Sequence, residues 1–274
     1  MLVRYIKSIA ICRKTVSIVC VVPAGPYNAA SIAQLAKYNM VTIEKWQGAC
    51  GWTHAPHPMR TDCHQEEVIA NTLRAIRKES AKRNKTQSLN MYLNSNFCFT
   101  FYDLTAEVIK IDGLLRDKNG NVCKLNNDGN FYLDVPFYDW SKPEVQALYE
   151  STAKKWVMSG VADGFFSDHA AQAITLNETT GKWNMCNGGK GRISNEGRRC
   201  CEFNESHAVA VNEGHAAALR NTQQSLGWKG LLINHAVQAP RTSGNSTIWG
   251  DLVNLQTPNK NPHIGRLCRL LAII

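Results

Sequence analysis

The stretch Phe131–Ala170, FYLDVPFYDWSKPEVQALYESTAKKWVMSGVADGFFSDHA, decides how the rest of the chain is read. VPFYDW (135–140) is apolar and aromatic, a strand pattern. Ser141 followed three residues later by Glu144 forms a capping box, and Pro143 sits in the first helical turn, where its missing N–H costs nothing. Val145, Leu148, Tyr149, Thr152 and Trp156 then recur at helical spacing, and Gly160 supplies a left-handed stop. GFFSD (164–168) predicts a short buried strand ending in a carboxylate. Strand, amphipathic helix and strand make a βαβ unit, which implies a parallel pair with a right-handed crossover. Both predicted strands end in aspartate, Asp139 and Asp168, and the carboxyl ends of parallel strands carry the chemistry in α/β folds.

Similar units extend in both directions. Strands are expected at 15–22, 40–46, 89–94 and 231–236. Helices are expected between them. One spans Ala29–Tyr38. A second, capped by Asp62 with Gln65, carries Val68, Ile69, Leu73 and Ile76. A third, capped by Ser206 and stopped by Gly227, leaves His207, Glu213 and His215 toward solvent. Alternating strands and helices argue an α/β parallel architecture. Eight units would make a TIM-type (β/α)8 barrel, and 274 residues suit one. Five strands are clear, so an incomplete or truncated barrel is expected. Turns at Asn119-Gly120 and Asp128-Gly129 flank short alternating runs, which predicts a small β-hairpin insertion. The expected organisation is an N-terminal segment 1–25, a barrel-like domain 26–240 and a C-terminal tail 241–274. The first of these is a possible signal or first strand, with Arg13 and Lys14 interrupting its apolar run.

Composition narrows the function classes. The chain is 44% hydrophobic and 19% charged, an ordinary globular mix, and no apolar run reaches membrane-span length. The net charge of +9 is scattered. Its densest group (Arg74, Arg77, Lys78, Lys82, Arg83, Lys85) lies along one helix and its exit, a solvated face, and no nucleic-acid module is present. Ten cysteines, with Asn-x-Ser/Thr sequons at Asn84, Asn177, Asn204 and Asn245, lean toward a secreted, disulfide-bonded glycoprotein. Cys50, His54, His57, Cys63 and His64 have the composition of a zinc site but lack the paired CxxC spacing, so a Cys50–Cys63 disulfide is expected. The loop from His169 to Glu202 holds Cys186, Cys200 and Cys201, with Cys186 expected to pair with Cys200 or Cys201. Its NGGKG (187–191) lacks the first Gly and the Ser/Thr of a phosphate-binding loop.

IEKWQG (43–48), MYLNS (91–95), LLRDKNG (114–120), VPFYDWSKPEV (135–145) and SGVADGFFSDH (159–169) together resemble an uncharacterised group of glycoside-hydrolase-type TIM-barrel proteins. The resemblance runs from about Asn28 to Val237 and leaves both ends unmatched. DGFFSD also resembles the D-G-x-x-x-D strand of several glycosidase barrels, where the last Asp is catalytic or substrate-binding; that role maps to Asp168. The resemblance implies a glycosidase acting on a glycan or polysaccharide, and implies no metal or nucleotide cofactor.

Glycoside hydrolysis needs two carboxyl groups flanking the scissile bond. Asp168, Glu44 and Asp139 come from separate predicted strands, with Asp168 expected as nucleophile or base and Glu44 as the second carboxylate. Trp46, Tyr92, Tyr138 and Trp140 are candidate stacking platforms for sugars. Asn94, His169, Asn234 and His235 are candidate hydroxyl ligands. Three other readings stand beside this one. They are a catalytically inactive carbohydrate-binding barrel, a metal-dependent hydrolase using the 50–64 loop, and a secreted interaction protein.

Overall fold

The computed structural model describes residues 18–21, 27–43, 63–125, 135–168, 174–185, 201–227 and 231–235. Five strands form one parallel sheet: β1 (Ile18–Val21), β2 (Met40–Ile43), β3 (Ser88–Asn94), β6 (Gly164–Asp168) and β10 (Leu231–His235). They lie side by side in chain order, with no reversal. Five of the six expected strands are therefore present and parallel.

The helices α1 (Ala29–Leu35), α2 (Gln65–Ala81), α3 (Asp103–Lys110), α4 (Pro143–Met158) and α5 (Glu205–Leu226) connect the strands. α2 buries Ile69, Leu73 and Ile76, and α4 buries Val145, Tyr149 and Trp156. Tyr149 Oη reaches Ser167 Oγ at 3.1 Å, so α4 covers the sheet face that carries Ser167. Sequential parallel order is the winding of a (β/α) barrel, whereas a doubly wound sheet reverses its order partway. The described residues do not close the sheet into a barrel.

Strand register is set by a carboxylate the motif reading passed over. Asp163, at the start of the D-G-x-x-x-D segment, accepts the Leu89 N–H (2.8 Å) and the Arg77 guanidinium (3.1 Å) on Oδ2. Its own N–H donates to the Leu89 carbonyl at 2.7 Å. β6 is thereby locked beside β3 at one end, which leaves Asp168 paired with Asn94 at the other.

Several expectations are corrected. VPFYDW is not a strand of the parallel sheet. β4 (Lys124–Leu125) pairs antiparallel with β5 (Val135–Pro136), and Phe137 and Tyr138 bridge antiparallel to Phe97 and Leu114. Pro136 lacks the donor that a central strand needs. The aromatic run is buried on all sides, and such a run reads like a strand from sequence. The βαβ crossover that contains α4 and ends in β6 therefore starts from β3, with α3 and the 135–140 segment inside it. The insertion is also rearranged. The Asn119-Gly120 turn is closed by an Arg116–Val122 bridge, while β4 pairs across to β5. The long loop after β6 contains β7 (Thr175–Asn177), β8 (Lys182–Met185) and β9 (Cys201–Phe203), a three-stranded antiparallel sheet. Helix entries shift by a few residues. The N-cap positions are His64, Lys142 and Asn204, none with a side-chain capping bond, and the Ser141 hydroxyl bonds Asp139 instead.

Sequence periodicity gave no sign of the α2–α3 junction. Glu66 is 2% exposed and accepts the N–H groups of Asp103 (2.7 Å) and Leu104 (2.9 Å), two donors of α3's first turn that have no partner within the helix. His64 Nδ1 lies 3.0 Å from Asp103 Oδ1 beside it. Burial pushes the Glu66 carboxyl from its usual 4.5 up to about 7, against the downward pull of those N–H donors. A folded-state value above the unfolded one stabilises the protein at low pH, and the contribution is lost as pH rises through about 7. Relative to Glu66→Gln, the wild type should therefore lose about 3 kcal/mol of unfolding free energy between pH 4.5 and 7.5. Denaturant titrations of both proteins across that range measure the gap, and a pH-independent gap contradicts the assignment.

Candidate functional site

Side chains alternate along a strand, so the face of β3 and β6 away from α4 carries Asn90, Tyr92 and Asn94 beside Phe166 and Asp168. The Tyr92 and Phe166 rings stack at 6.1 Å and 27°. The same face ends at the strands' carboxyl termini, where Asn94, Asp168 and His235 share one level of the register.

A directed hydrogen-bond chain holds Asp168. Asn94 Oδ1 accepts the backbone N–H groups of Asn96 (2.8 Å) and Phe97 (2.7 Å), which fixes the orientation of its amide. Asn94 Nδ2 therefore donates, to Tyr92 Oη at 2.9 Å. With its oxygen serving as acceptor, the Tyr92 hydroxyl donates to Asp168 Oδ2 at 2.6 Å. Asn94 and Tyr92 are buried and Asp168 is half-buried, so the network runs from the interior to a carboxylate at the rim. A phenol donating to a carboxylate orients it and stabilises its negative charge. Ser95 fixes the backbone, with its N–H (3.0 Å) and hydroxyl (2.9 Å) both donating to the Asp168 carbonyl. The Ser95 carbonyl accepts the Trp140 indole N–H at 2.8 Å.

The other expected site residues fall in three groups. Glu44, Trp46 and His169 lie outside the described residues. Asn234 and His235 are placed by backbone register only, opposite Ser167 and Asp168. Asp139, Tyr138 and Trp140 sit near the end of β3, through Tyr138 N–H to the Asn96 carbonyl and Trp140 to Ser95, but not at the end of a parallel strand. Asp139 Oδ1 accepts from Ser141 N–H (3.2 Å) and Ser141 hydroxyl (2.5 Å), with His207 Nε2 3.5 Å away. This is a turn-holding arrangement at the entrance to α4. Tyr138 and Trp140 are 3% and 1% exposed and pack on each other and on Tyr149. Their rings serve the core rather than a sugar. Tyr92 is likewise buried, and its contribution is the hydroxyl rather than the ring face.

His215, expected in solvent, is buried and stacks on Trp140 at 5.3 Å and 20°, and burial lowers its imidazole to about 4. The cysteine pairing also changes. Cys201 is bonded to Cys123, with Cα atoms 6.0 Å apart, so it is not the partner of Cys186. The pairing follows from β9 lying against the insertion, where Lys118 N–H donates to the Glu202 carbonyl at 2.8 Å. Cys63 is disulfide-bonded, which removes its thiolate from any zinc site; Cys50 lies outside the described residues. Among the described residues no group of three His, Cys, Asp or Glu side chains is arranged to hold a metal ion. No described helix is long and apolar enough to cross a membrane.

No family model matches the chain, and no curated protein sequence matches it. Similar solved structures include a family GH13_31 enzyme, at 12% identity over 79% of this chain and 46% of that one, with a TM-score of 0.44. The glycoside hydrolase domain of PelA from Pseudomonas aeruginosa is 11% identical over 80% and 59%, with a TM-score of 0.40. A xylosidase from Aspergillus niger is 12% identical over 87% and 34%, with a TM-score of 0.48. This chain thus spans less than two-thirds of each of these structures. Likenesses this loose assign neither residues nor chemistry to it.

Proposed function

We propose that this chain is a glycoside-hydrolase-type domain of a (β/α) barrel, acting on a glycan, with Asp168 as nucleophile or base. One observation carries the reading. A carboxylate stands at the carboxyl end of a parallel strand, half-buried, and accepts the last hydrogen bond of a buried Asn–Tyr relay. In hydrolysis its oxygen would act at the anomeric carbon or on the attacking water, while a second carboxyl protonates the leaving oxygen. Glu44, which follows β2 in sequence, is the proposed second carboxyl, and Asp139 is assigned to its turn. His235, level with Asp168 in the register, is proposed to bind sugar hydroxyls, together with Trp46 and His169. Secretion is part of the proposal, supported by two disulfide-bonded regions, at Cys63 and at Cys123–Cys201.

The test is hydrolysis of a panel of para-nitrophenyl glycosides and plant, fungal and bacterial polysaccharides by the purified chain. Release of sugar supports the reading. Saturable glycan binding without turnover would instead favour an inactive carbohydrate-binding barrel. On any substrate found, Tyr92→Phe should lower kcat by about tenfold to a hundredfold, the size of one lost hydrogen bond to a charged group. The protein should still fold, with a lowered melting temperature, since the ring remains but Asn94 Nδ2 loses its bond to the Tyr92 hydroxyl. An unchanged kcat means that the relay does not serve the chemistry.

A further inference from the structure

A concavity lined by none of the Asp168 relay residues lies on the β7–β8–β9 sheet. It has a volume of about 410 Å³ and is lined by Lys118, Leu176, Lys182, Trp183, Glu202 and Asn204, among others. Its apolar part is a cross-strand row, with Leu176 opposite Trp183 and Trp183 opposite Phe203. Leu176 is 45% exposed and Trp183 is half-buried, so apolar surface stays open to solvent. The rim is charged, with Glu202 paired to Lys118 at 2.6 Å and to Lys182 at 3.1 Å. An indole face with a ring of polar donors and acceptors suits a saccharide, which offers one apolar face and an edge of hydroxyls.

An attachment point for that saccharide stands on the rim. Asn204-Glu205-Ser206 is an acceptor sequon, and all three residues are exposed. Asn204 occupies the N-cap position of α5 but makes no capping bond, so its amide is not tied to the helix. The exposed sequon Asn177 differs, because its Oδ1 accepts the N–H groups of Thr179 and Thr180. Asn84, also exposed, follows α2, far in sequence from the pocket residues. We propose that Asn204 carries an N-linked glycan whose first N-acetylglucosamine seats in this pocket over Trp183 and Leu176. The inference rests on the secretory part of the functional reading and is independent of Asp168.

The test expresses the full chain with its own N-terminus in insect cells and maps glycopeptides by mass spectrometry. Asn204 is expected to be occupied. Its glycan should be released from the native protein by peptide N-glycosidase about tenfold more slowly than the Asn84 glycan, and equally fast after denaturation. Trp183→Ala should abolish that difference while leaving Asn204 occupied. If Asn84 is modified and Asn204 is not, the secretory reading survives and the inference fails. If no sequon is modified, both fail. Equal native release at Asn84 and Asn204 also overturns the inference.

Discussion

Asp168→Asn is expected to lower glycosidase turnover by about a thousandfold or more while the thermal melt stays close to that of the wild type. The substitution is nearly isosteric and keeps one oxygen able to accept the Tyr92 hydroxyl, so the relay through Asn94 has an acceptor to end on. Ser95 binds the backbone carbonyl of residue 168 and is indifferent to the side chain. What is lost is the negative charge at the rim, and an amide neither attacks an anomeric carbon nor takes a proton from water at useful rates. Wild-type and variant rates on the same substrate, with melts of both, separate the outcomes. A variant that keeps most of its rate shows that Asp168 is not catalytic, and one that fails to fold shows that it is structural.

Gly214→Ala should be clearly destabilising, although it adds a single methyl group. A Cβ there would sit 1.9 Å from the Trp140 carbonyl oxygen and 2.7 Å from its carbon, both backbone atoms that cannot rotate away. α5 must move off the segment that leads into α4, and the His215 ring beside it must leave Trp140. In an open helix the same change would gain about 1 kcal/mol of propensity. Overpacking costs about 1–3 kcal/mol and sometimes more, and at a backbone clash the upper end applies. A net loss of about 2 kcal/mol corresponds to a fall in Tm of roughly 4–8 °C for a chain of this size. Calorimetry of the two proteins decides it, and an equal or higher Tm would mean that α5 is not held against Trp140 as described. Because the Trp140 indole also holds Ser95, the variant should lose part of its activity as well.

The parallel sheet was legible because β2, β3, β6 and β10 are short apolar or alternating runs separated by helical segments. Asp168 was legible as the polar end of such a run, and Tyr92 and Asn94, two residues apart in β3, as candidates for the same site. The contact that gives the site its character was not. Tyr92 and Asp168 are 76 residues apart, and only the β3–β6 pairing, locked by Asp163, brings them together. The 135–140 segment misled for a physical reason: residues buried on every side show no periodicity, and Pro136 was the one signal against a central strand. Burial of single polar groups was equally hidden. Glu66 reads as a first-turn helix acid and His215 as a surface histidine, and each is buried only because a second helix or an indole lies over it. A closer reading of spacing would not have recovered Cys123–Cys201, since its two halves meet through the insertion folding onto β9.

The central claim is that the Asp168 carboxylate acts at the anomeric carbon, and chemical rescue tests it most directly. Asp168→Gly opens a space where the carboxylate stood, and sodium azide is added with an activated aryl glycoside that the wild type cleaves. Azide should attack the anomeric carbon in place of the missing group or of the water it activates. The glycosidic C–O bond breaks, the aryl oxide leaves, and a glycosyl azide forms. The expected result is a variant with little residual rate, restored at least about tenfold by azide, with glycosyl azide identified by NMR. A variant that retains most of the wild-type rate, or an inactive one that azide neither accelerates nor converts to glycosyl azide, would contradict the claim.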